Sequence, residues 1–133
     1  MQFARWFLVL GAASSGCSVV LGAFASHGLK ARLDPDALAV FHTGVTYQFF
    51  HSLALCVLAL WIEQLGRRAT LVGSAWYVSG VAFVVGIVLF SGSLYGLALG
   101  APRWLGPITP LGGLAFIVGW VAFTWAAWST GRT

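Results

Sequence analysis

The ten charged residues of this 133-residue chain are placed so that they leave four long uncharged intervals. A helix that crosses a bilayer needs about 20 consecutive apolar residues, and each interval is at least that long. The charges lie between and beside the intervals, at Arg5, Lys30, Arg32, Asp34, Asp36, Glu63, Arg67, Arg68, Arg103 and Arg132. This spacing predicts four membrane-spanning helices.

The composition supports the same class of protein. Hydrophobic residues make up 59% of the chain and charged residues 8%, which leaves too little polar surface to cover a water-soluble globule. We therefore expect an all-α integral membrane four-helix bundle, with short loops that make neighbouring helices antiparallel. The expected helices cover about 6–29, 37–62, 69–100 and 109–129, and we expect residues 1–133 to form a single transmembrane domain.

An even number of spans puts both termini at one end of the bundle, which we name the terminal end. The loops at 30–36 and 101–108 lie at the other end, which we name the loop end. The terminal end has four basic residues, Arg5, Arg67, Arg68 and Arg132, and the loop end has three, Lys30, Arg32 and Arg103. The positive-inside rule then favours cytoplasmic termini, with the loop end outside. Because these residues flank spans and form no basic stripe, we expect no nucleic acid partner.

The first span carries small residues on one face, which predicts close contact with another helix. These residues are Gly11, Ser15, Ser18 and Gly22. The segment Ala23-Phe24-Ala25 offers an alternative, because it resembles the cleavage site of a secretory signal. Cleavage would remove the small-residue face together with one of the four spans, so we favour a span that is retained.

The second span brings polar side chains into the bilayer, where such groups must find partners on other helices or line a cavity. Thr43, Tyr47 and His51 share one helical face, and Gln48 lies beside it. We expect this face to point inward. No acidic residue is available at the depth of His51, so we expect a neutral imidazole that is hydrogen-bonded to a serine or tyrosine of the segment FSGSLYG at 90–96.

The third uncharged interval, 69–100, is longer than a span requires, so its helix must tilt, kink or protrude. We expect the irregularity near 91–93, because Ser91-Gly92-Ser93 weakens the helix. Gly92, Gly96 and Gly100 then recur at every fourth residue. This spacing predicts a groove in which another helix packs closely.

Four segments of the sequence resemble a known family. They are LGAFASHGL at 21–29, TYQFFHSLAL at 46–55, FSGSLYGLAL at 90–99 and GPITPLGGLAFIVGW at 106–120. Together, in this order, they are similar to the transmembrane protein 256 and domain of unknown function 423 family of small membrane proteins. The resemblance implies a four-helix protein of a bacterial inner membrane or a mitochondrial membrane, and it implies no particular activity.

The expected topology gathers most of the distinctive polar residues in the half of the bundle nearest the loop end. They are His27, Thr43, Tyr47, Gln48, His51, Ser91, Ser93, Tyr95 and Thr109. Two interpretations remain open for this polar cluster. It is either a hydrogen-bonded plug that braces the bundle or the lining of a binding cavity.

The sequence lacks the residue patterns of a metal site or an enzyme. His42 and His51 point to opposite faces of one helix, and all three acidic residues lie at helix ends. No Ser/His/Asp arrangement, paired carboxylate or phosphate-binding loop is present, so we expect no enzymatic activity and no cofactor. Cys17 and Cys56 lie within spans without a paired spacing, which is typical of small hydrophobic packing residues.

These patterns predict a non-catalytic accessory or assembly subunit that packs within a membrane complex or a homo-oligomer. Its expected partners are membrane lipid and either a second copy of the chain or a larger membrane complex. The alternative is a small transporter or lipid-binding protein that uses a polar pocket near the loop end. Purification in mild detergent separates the two, because a hetero-complex favours the first and a lone dimer with bound lipid favours the second.

Overall fold

The computed structural model describes residues 2–68 and 70–130. Four helices, each long and apolar enough to cross a membrane, account for most of this part of the chain, which contains no strand. They are α1 (Gln2–Leu29), α2 (Pro35–Arg67), α3 (Ser74–Ala98) and α4 (Ile108–Ser129), with a short 3₁₀ turn at Arg103–Leu105. The predicted all-α membrane four-helix bundle is confirmed.

Capping residues explain where α2 begins and where α3 ends. The Asp34 carboxylate accepts a hydrogen bond from the Ala37 N–H at 2.9 Å, and Pro35 occupies the first turn of α2. Gly100 follows α3 with a φ of 86°, a backbone conformation that glycine adopts without steric cost. The Ala101 N–H then bonds to the Gly96 carbonyl at 2.8 Å, which closes a Schellman motif.

The third helix differs from its predicted bounds. It begins at Ser74 instead of 69 and ends at Ala98, so α2, with 33 residues, is the longest helix. Its irregularity is a π-helical turn at Ile87–Ser91, about one turn before the predicted position. A second π-helical turn, Ala25–Leu29, ends α1. Ser91, the last residue of this turn, donates its hydroxyl across to the Gly44 carbonyl of α2.

The helices α2 and α3 form the centre of the bundle. In their most apolar segments 39% and 33% of the residues are buried, against 17% in both α1 and α4. The helix α1 packs mainly on α2, and α4 packs mainly on α3. Glycines permit both contacts: a Cβ at Gly11 would lie 2.8 Å from the Ser52 carbonyl oxygen, and one at Gly112 would collide with the Phe90 backbone.

Two apolar clusters fill the interior, one toward each end of the bundle. The larger cluster, toward the terminal end, contains Ala4, Phe7, Leu55, Leu58, Ala59, Ile62, Leu65, Trp76, Phe83, Phe116 and Ala126. The smaller cluster, at the loop end, contains Ala25, Leu29, Phe41 and Ala98. Buried polar side chains lie mainly between these clusters, near the middle of the helices.

A buried polar layer as the candidate functional site

Hydrogen bonds among four side chains join α1, α2 and α3 in the middle of the bundle. The Gln48 amide nitrogen donates to the Ser14 carbonyl at 3.0 Å and to the Ser14 hydroxyl at 3.2 Å. The Ser52 hydroxyl donates to the same Ser14 hydroxyl at 2.7 Å. From α3, the Tyr95 hydroxyl donates to the Gln48 amide oxygen at 2.6 Å. We name these residues, Ser14, Gln48, Ser52 and Tyr95, the serine–glutamine network.

The serine–glutamine network satisfies the groups that form it. Gln48 donates through its amide nitrogen and accepts through its amide oxygen, and only 6% of its surface is exposed. Ser52 is fully buried. An unpaired amide in the hydrocarbon region would be costly, so these contacts account for the presence of a glutamine at this depth.

His51 joins α2 to α4. The indole N–H of Trp120 donates to His51 Nε2 at 3.1 Å, and His51 Nδ1 lies 2.7 Å from the Tyr47 carbonyl oxygen. Because an indole nitrogen can only donate, Nε2 must be the acceptor and Nδ1 must carry the hydrogen. Both nitrogens of a neutral imidazole are therefore satisfied. The predicted partner was wrong: the cross-helix bond comes from Trp120 and not from a serine or tyrosine of 90–96.

Aromatic rings enclose the His51 imidazole. Its ring centroid lies 3.6 Å from that of Phe116, with the planes nearly parallel at 14°. Phe83 and Trp120 approach edge-on, with centroid distances of 5.6 Å and 6.0 Å. Only 7% of His51 is exposed. The imidazole is thus held between hydrophobic walls with its two nitrogens occupied, and it has no free position to offer a ligand.

Serine hydroxyls make two further contacts between helices in the half nearest the loop end. Ser91 is buried and donates to the Gly44 carbonyl at 2.7 Å. Ser93 and Thr109 share a hydrogen bond of 2.6 Å, which joins α3 to the first turn of α4. Of the predicted polar cluster, Gln48, His51, Ser91, Ser93, Tyr95 and Thr109 therefore take part in contacts between helices.

Two members of the predicted cluster lie elsewhere, and a third is only partly enclosed. Thr43 is exposed and its hydroxyl donates to the Ala39 carbonyl of its own helix. His27 is exposed near the loop end. Tyr47 is 42% exposed, but its ring packs against Phe90 of α3 with a centroid distance of 4.6 Å. The inward face of α2 is therefore rotated from the predicted one. At about 100° per residue, Gln48 and His51 lie about 60° apart, and Thr43 lies about 110° from the midpoint between them.

The predicted groove of Gly92, Gly96 and Gly100 does not form within this chain. Gly92 has open space around it, and Gly100 lies beyond the end of α3. A Cβ at Gly96 would meet Leu105, a residue of the connection to α4, at 2.8 Å. The fourfold spacing was interpreted as one surface because the helix was expected to continue through residue 100. It ends at Ala98 instead.

We name the residues that make these hydrogen bonds between helices the polar layer. Three of them, Ser14, Ser52 and Trp120, were not predicted from the sequence. One signal was available, because Ser52 follows Gln48 by four positions and so shares its helical face. Neither Ser14 nor Trp120 had a comparable signal. A serine that neighbours another serine in an apolar span, or one tryptophan among seven, does not indicate which helix it faces.

No group of three His, Cys, Asp or Glu side chains comes together in a metal-binding arrangement within residues 2–68 and 70–130. Cys17 is exposed and Cys56 is partly buried, and both are free thiols. The side chains of the polar layer make hydrogen bonds between hydroxyl, amide, imidazole and indole groups.

Comparison with known sequences places this arrangement in a family. The profile of the family described as "Protein of unknown function (DUF423)" matches residues 21–113. The chain belongs to the DUF423 family. The match includes α2, α3 and the start of α4, and with them Gln48, His51 and Tyr95 of the polar layer.

Curated relatives of this DUF423 protein cover nearly the whole chain. The UPF0382 membrane protein YwdK of Bacillus subtilis is 42% identical over 91% of the chain and 94% of its own length. A UPF0382 membrane protein of Haemophilus influenzae is 40% identical over 93% of the chain and 94% of its own length. The UPF0382 inner membrane protein YgdD of Escherichia coli is 41% identical over 87% of the chain and 84% of its own length. No solved structure matches this protein.

Proposed function

We propose that this protein is a non-catalytic accessory or assembly subunit that packs against a second copy of itself, or within a larger membrane complex, through an exposed stripe on α3. The observation that carries the proposal is the spacing of this stripe, which alternates between three and four residues. It consists of Val78, Val81, Val85 and Val88, and we name it the valine stripe. Between 41% and 63% of each valine is exposed.

The valine stripe has the properties of a helix-packing surface in lipid. Association there depends on close van der Waals contact, because lipid tails are as apolar as the side chains. Valine has few rotamers to lose in a helix, and a repeat of 3.5 residues keeps one face toward a partner along its length. A groove of about 570 Å³ runs beside the stripe between α3 and α4. It offers space for the side chains of a partner helix.

The polar layer supports a bracing role within the same proposal. A transporter or lipid-binding protein that used a polar pocket would need polar groups free to meet a ligand. Gln48, His51 and Ser52 instead bond to other residues of this chain and are at most 7% exposed. We propose that these bonds fix the helices, so that the assembly surface keeps one shape.

Val81→Trp tests the proposal, because it adds a large side chain to the valine stripe. We expect the molar mass in mild detergent, measured by light scattering, to fall from that of the oligomer toward that of the monomer. Val19→Trp is the matched control: Val19 is also exposed, but it lies on α1. Gly96→Leu does not test assembly cleanly, because the new side chain would collide with Leu105 of the same chain.

Each outcome has a clear meaning. Loss of the oligomer or hetero-complex in Val81→Trp, but not in Val19→Trp, supports assembly through α3. A wild-type protein that is monomeric and partner-free in several mild detergents contradicts the proposal. A lone dimer that survives Val81→Trp, and that loses its bound lipid in Gln48→Leu, favours the alternative, a small transporter or lipid-binding protein that uses a polar pocket.

We further propose an inner-membrane location with both termini in the cytoplasm. The location is supported by the name of the E. coli relative, an inner membrane protein. Within the described residues each end of the bundle has three basic residues, and the fourth basic residue of the terminal end, Arg132, lies outside them. A C-terminal alkaline phosphatase fusion should be inactive. An active fusion would reverse the orientation.

A further inference from the structure

A second groove opens on a different side of the bundle, at the terminal end between α2 and α4. Its volume is about 490 Å³, within the range of about 300 to 1,000 Å³ typical of small-molecule sites. We name it the terminal groove. Its walls are mainly apolar side chains of α2 and α4, and its residues include Val57, Leu60, Trp61, Trp76, Phe123 and Ala127.

The polar atoms at the rim of the terminal groove are already satisfied. The buried Trp76 donates its indole N–H to the Thr130 hydroxyl at 3.2 Å. Thr130 in turn donates to the Ala126 carbonyl at 2.7 Å. An occupant of the groove therefore needs no hydrogen-bonding groups along most of its length, which suits a hydrocarbon chain.

A positive charge lies beyond one end of this apolar groove. Arg68 is eleven residues after Val57 and seven after Trp61, so it falls within about 20° of both around the α2 axis. Its N–H still bonds to the Gln64 carbonyl at 3.2 Å, which keeps this residue in register with α2. The groove and Arg68 therefore lie on one face of the helix.

The charge of Arg68 is available for a ligand. The neighbouring Arg67 is paired with Glu63 at 2.7 Å, an ion pair between residues four apart on the helix. Across the described ranges 2–68 and 70–130 this is the one ion pair, so Arg68 has no acidic partner there. Charge complementarity at this end of the groove therefore calls for an anion.

The length of this surface matches one leaflet of a bilayer. Eleven residues of helix rise by about 16 Å between Val57 and Arg68. The hydrocarbon of one leaflet is about 15 Å deep, half of a core of about 30 Å. We propose that the terminal groove binds one acyl chain of an anionic phospholipid, and that Arg68 contacts the phosphate and headgroup of the same molecule.

Native mass spectrometry of the full chain in mild detergent tests this site. Equal amounts of a phosphatidylglycerol and a phosphatidylcholine with the same acyl chains are added. We expect the wild-type protein to retain one phosphatidylglycerol in about fivefold preference, the factor that one basic residue near a membrane surface provides. Arg68→Gln should reduce this preference to about one. Arg103→Gln, the same charge change at the loop end, should keep it.

A second variant tests the groove without changing charge. Ala127 is exposed on the α4 wall, so Ala127→Trp fills the groove and should reduce the retention of both lipids at least fivefold. Leu60→Trp fills it from α2 and replaces Ala127→Trp if that variant does not fold. Equal retention of both lipids by the wild type overturns the proposal. So does an equal effect of Arg103→Gln and Arg68→Gln, or unchanged retention in the filled groove.

Discussion

Between α1 and α2 the central contacts are hydrogen bonds among Ser14, Gln48 and Ser52, whereas between α3 and α4 they are phenyl rings that rest on glycines. Phe83 rests on Gly119 and Phe116 on Gly86, and the Phe90 backbone packs against Gly112, so that three phenylalanine–glycine pairs form an antiparallel ladder. Steps of three and four residues forward on α3 match the same steps backward on α4. One small protein therefore uses two ways of holding helices together in lipid.

The two contacts differ in what they demand of the sequence. A hydrogen bond requires particular polar atoms but tolerates small shifts, and inside membranes each bond contributes only about 0.6 kcal/mol on average. A ring on a glycine requires the absence of a side chain: a Cβ at Gly119 would lie 2.6 Å from Phe83 Cδ1. We therefore expect substitution of a glycine under a ring in the α3–α4 contact to cost more than removal of the hydrogen bonds in the α1–α2 contact.

The largest effect is expected for Gly86→Leu, which places a side chain where the Phe116 ring lies. We expect the free energy of unfolding to fall by about 3 kcal/mol, the upper part of the usual range for overpacking. Titration with a denaturing detergent, followed by circular dichroism, measures it. Gly16→Leu is the control and should cost less than about 0.5 kcal/mol, as surface substitutions usually do. Equal stability of the two variants would show that the α3–α4 contact does not depend on a glycine at this position.

An intermediate effect is expected for Gln48→Leu, which removes the bonds to Ser14 and Tyr95. The loss should be about 1 to 2 kcal/mol, because more than one intramembrane bond disappears. Thr43→Val on the same helix is the control and should change stability by less than about 0.5 kcal/mol, since Thr43 bonds only to its own backbone. A larger cost for Thr43→Val than for Gln48→Leu would restore the originally predicted inward face.

The smallest effect is expected in a double-mutant cycle of His51→Leu and Trp120→Phe. The coupling energy between the two side chains should be about 0.6 kcal/mol and no more than about 1.7 kcal/mol. The same cycle of His51→Leu with Ser91→Ala should give no coupling, because Ser91 bonds to Gly44. Coupling to Ser91 instead of Trp120 would support the partner that the sequence predicted.

The number and class of the helices followed from the sequence because charges are excluded from the hydrocarbon region. The positions of Arg5, Lys30, Glu63 and Arg103 alone separate the four spans. The burial of Gln48 and His51 followed from the same physical cause, since a strongly polar group in a span must turn away from lipid.

The rotation of each helix was harder to predict. In water, the polar face of a helix identifies its buried face by contrast, but in lipid both faces are apolar. Thr43 shows the difficulty, because a threonine can satisfy its hydroxyl on its own helix and so face lipid. Trp120 shows the converse, because a bulky aromatic residue on an apolar helix carries no sign that its N–H meets a histidine.

The π-helical turn at Ile87–Ser91 divides α3 into two segments with different orientations. One extra residue in a turn holds back the rotation of the following residues by about 100°. Phe83, before the turn, contacts Gly119 of α4 and also His51 of α2, and Tyr95, after it, bonds to Gln48 of α2. In an unbroken α-helix these two side chains would point about 120° apart, and the inserted residue reduces this angle to about 20°. A chain shortened by a single residue at 87–91 would therefore turn one of them away from α2.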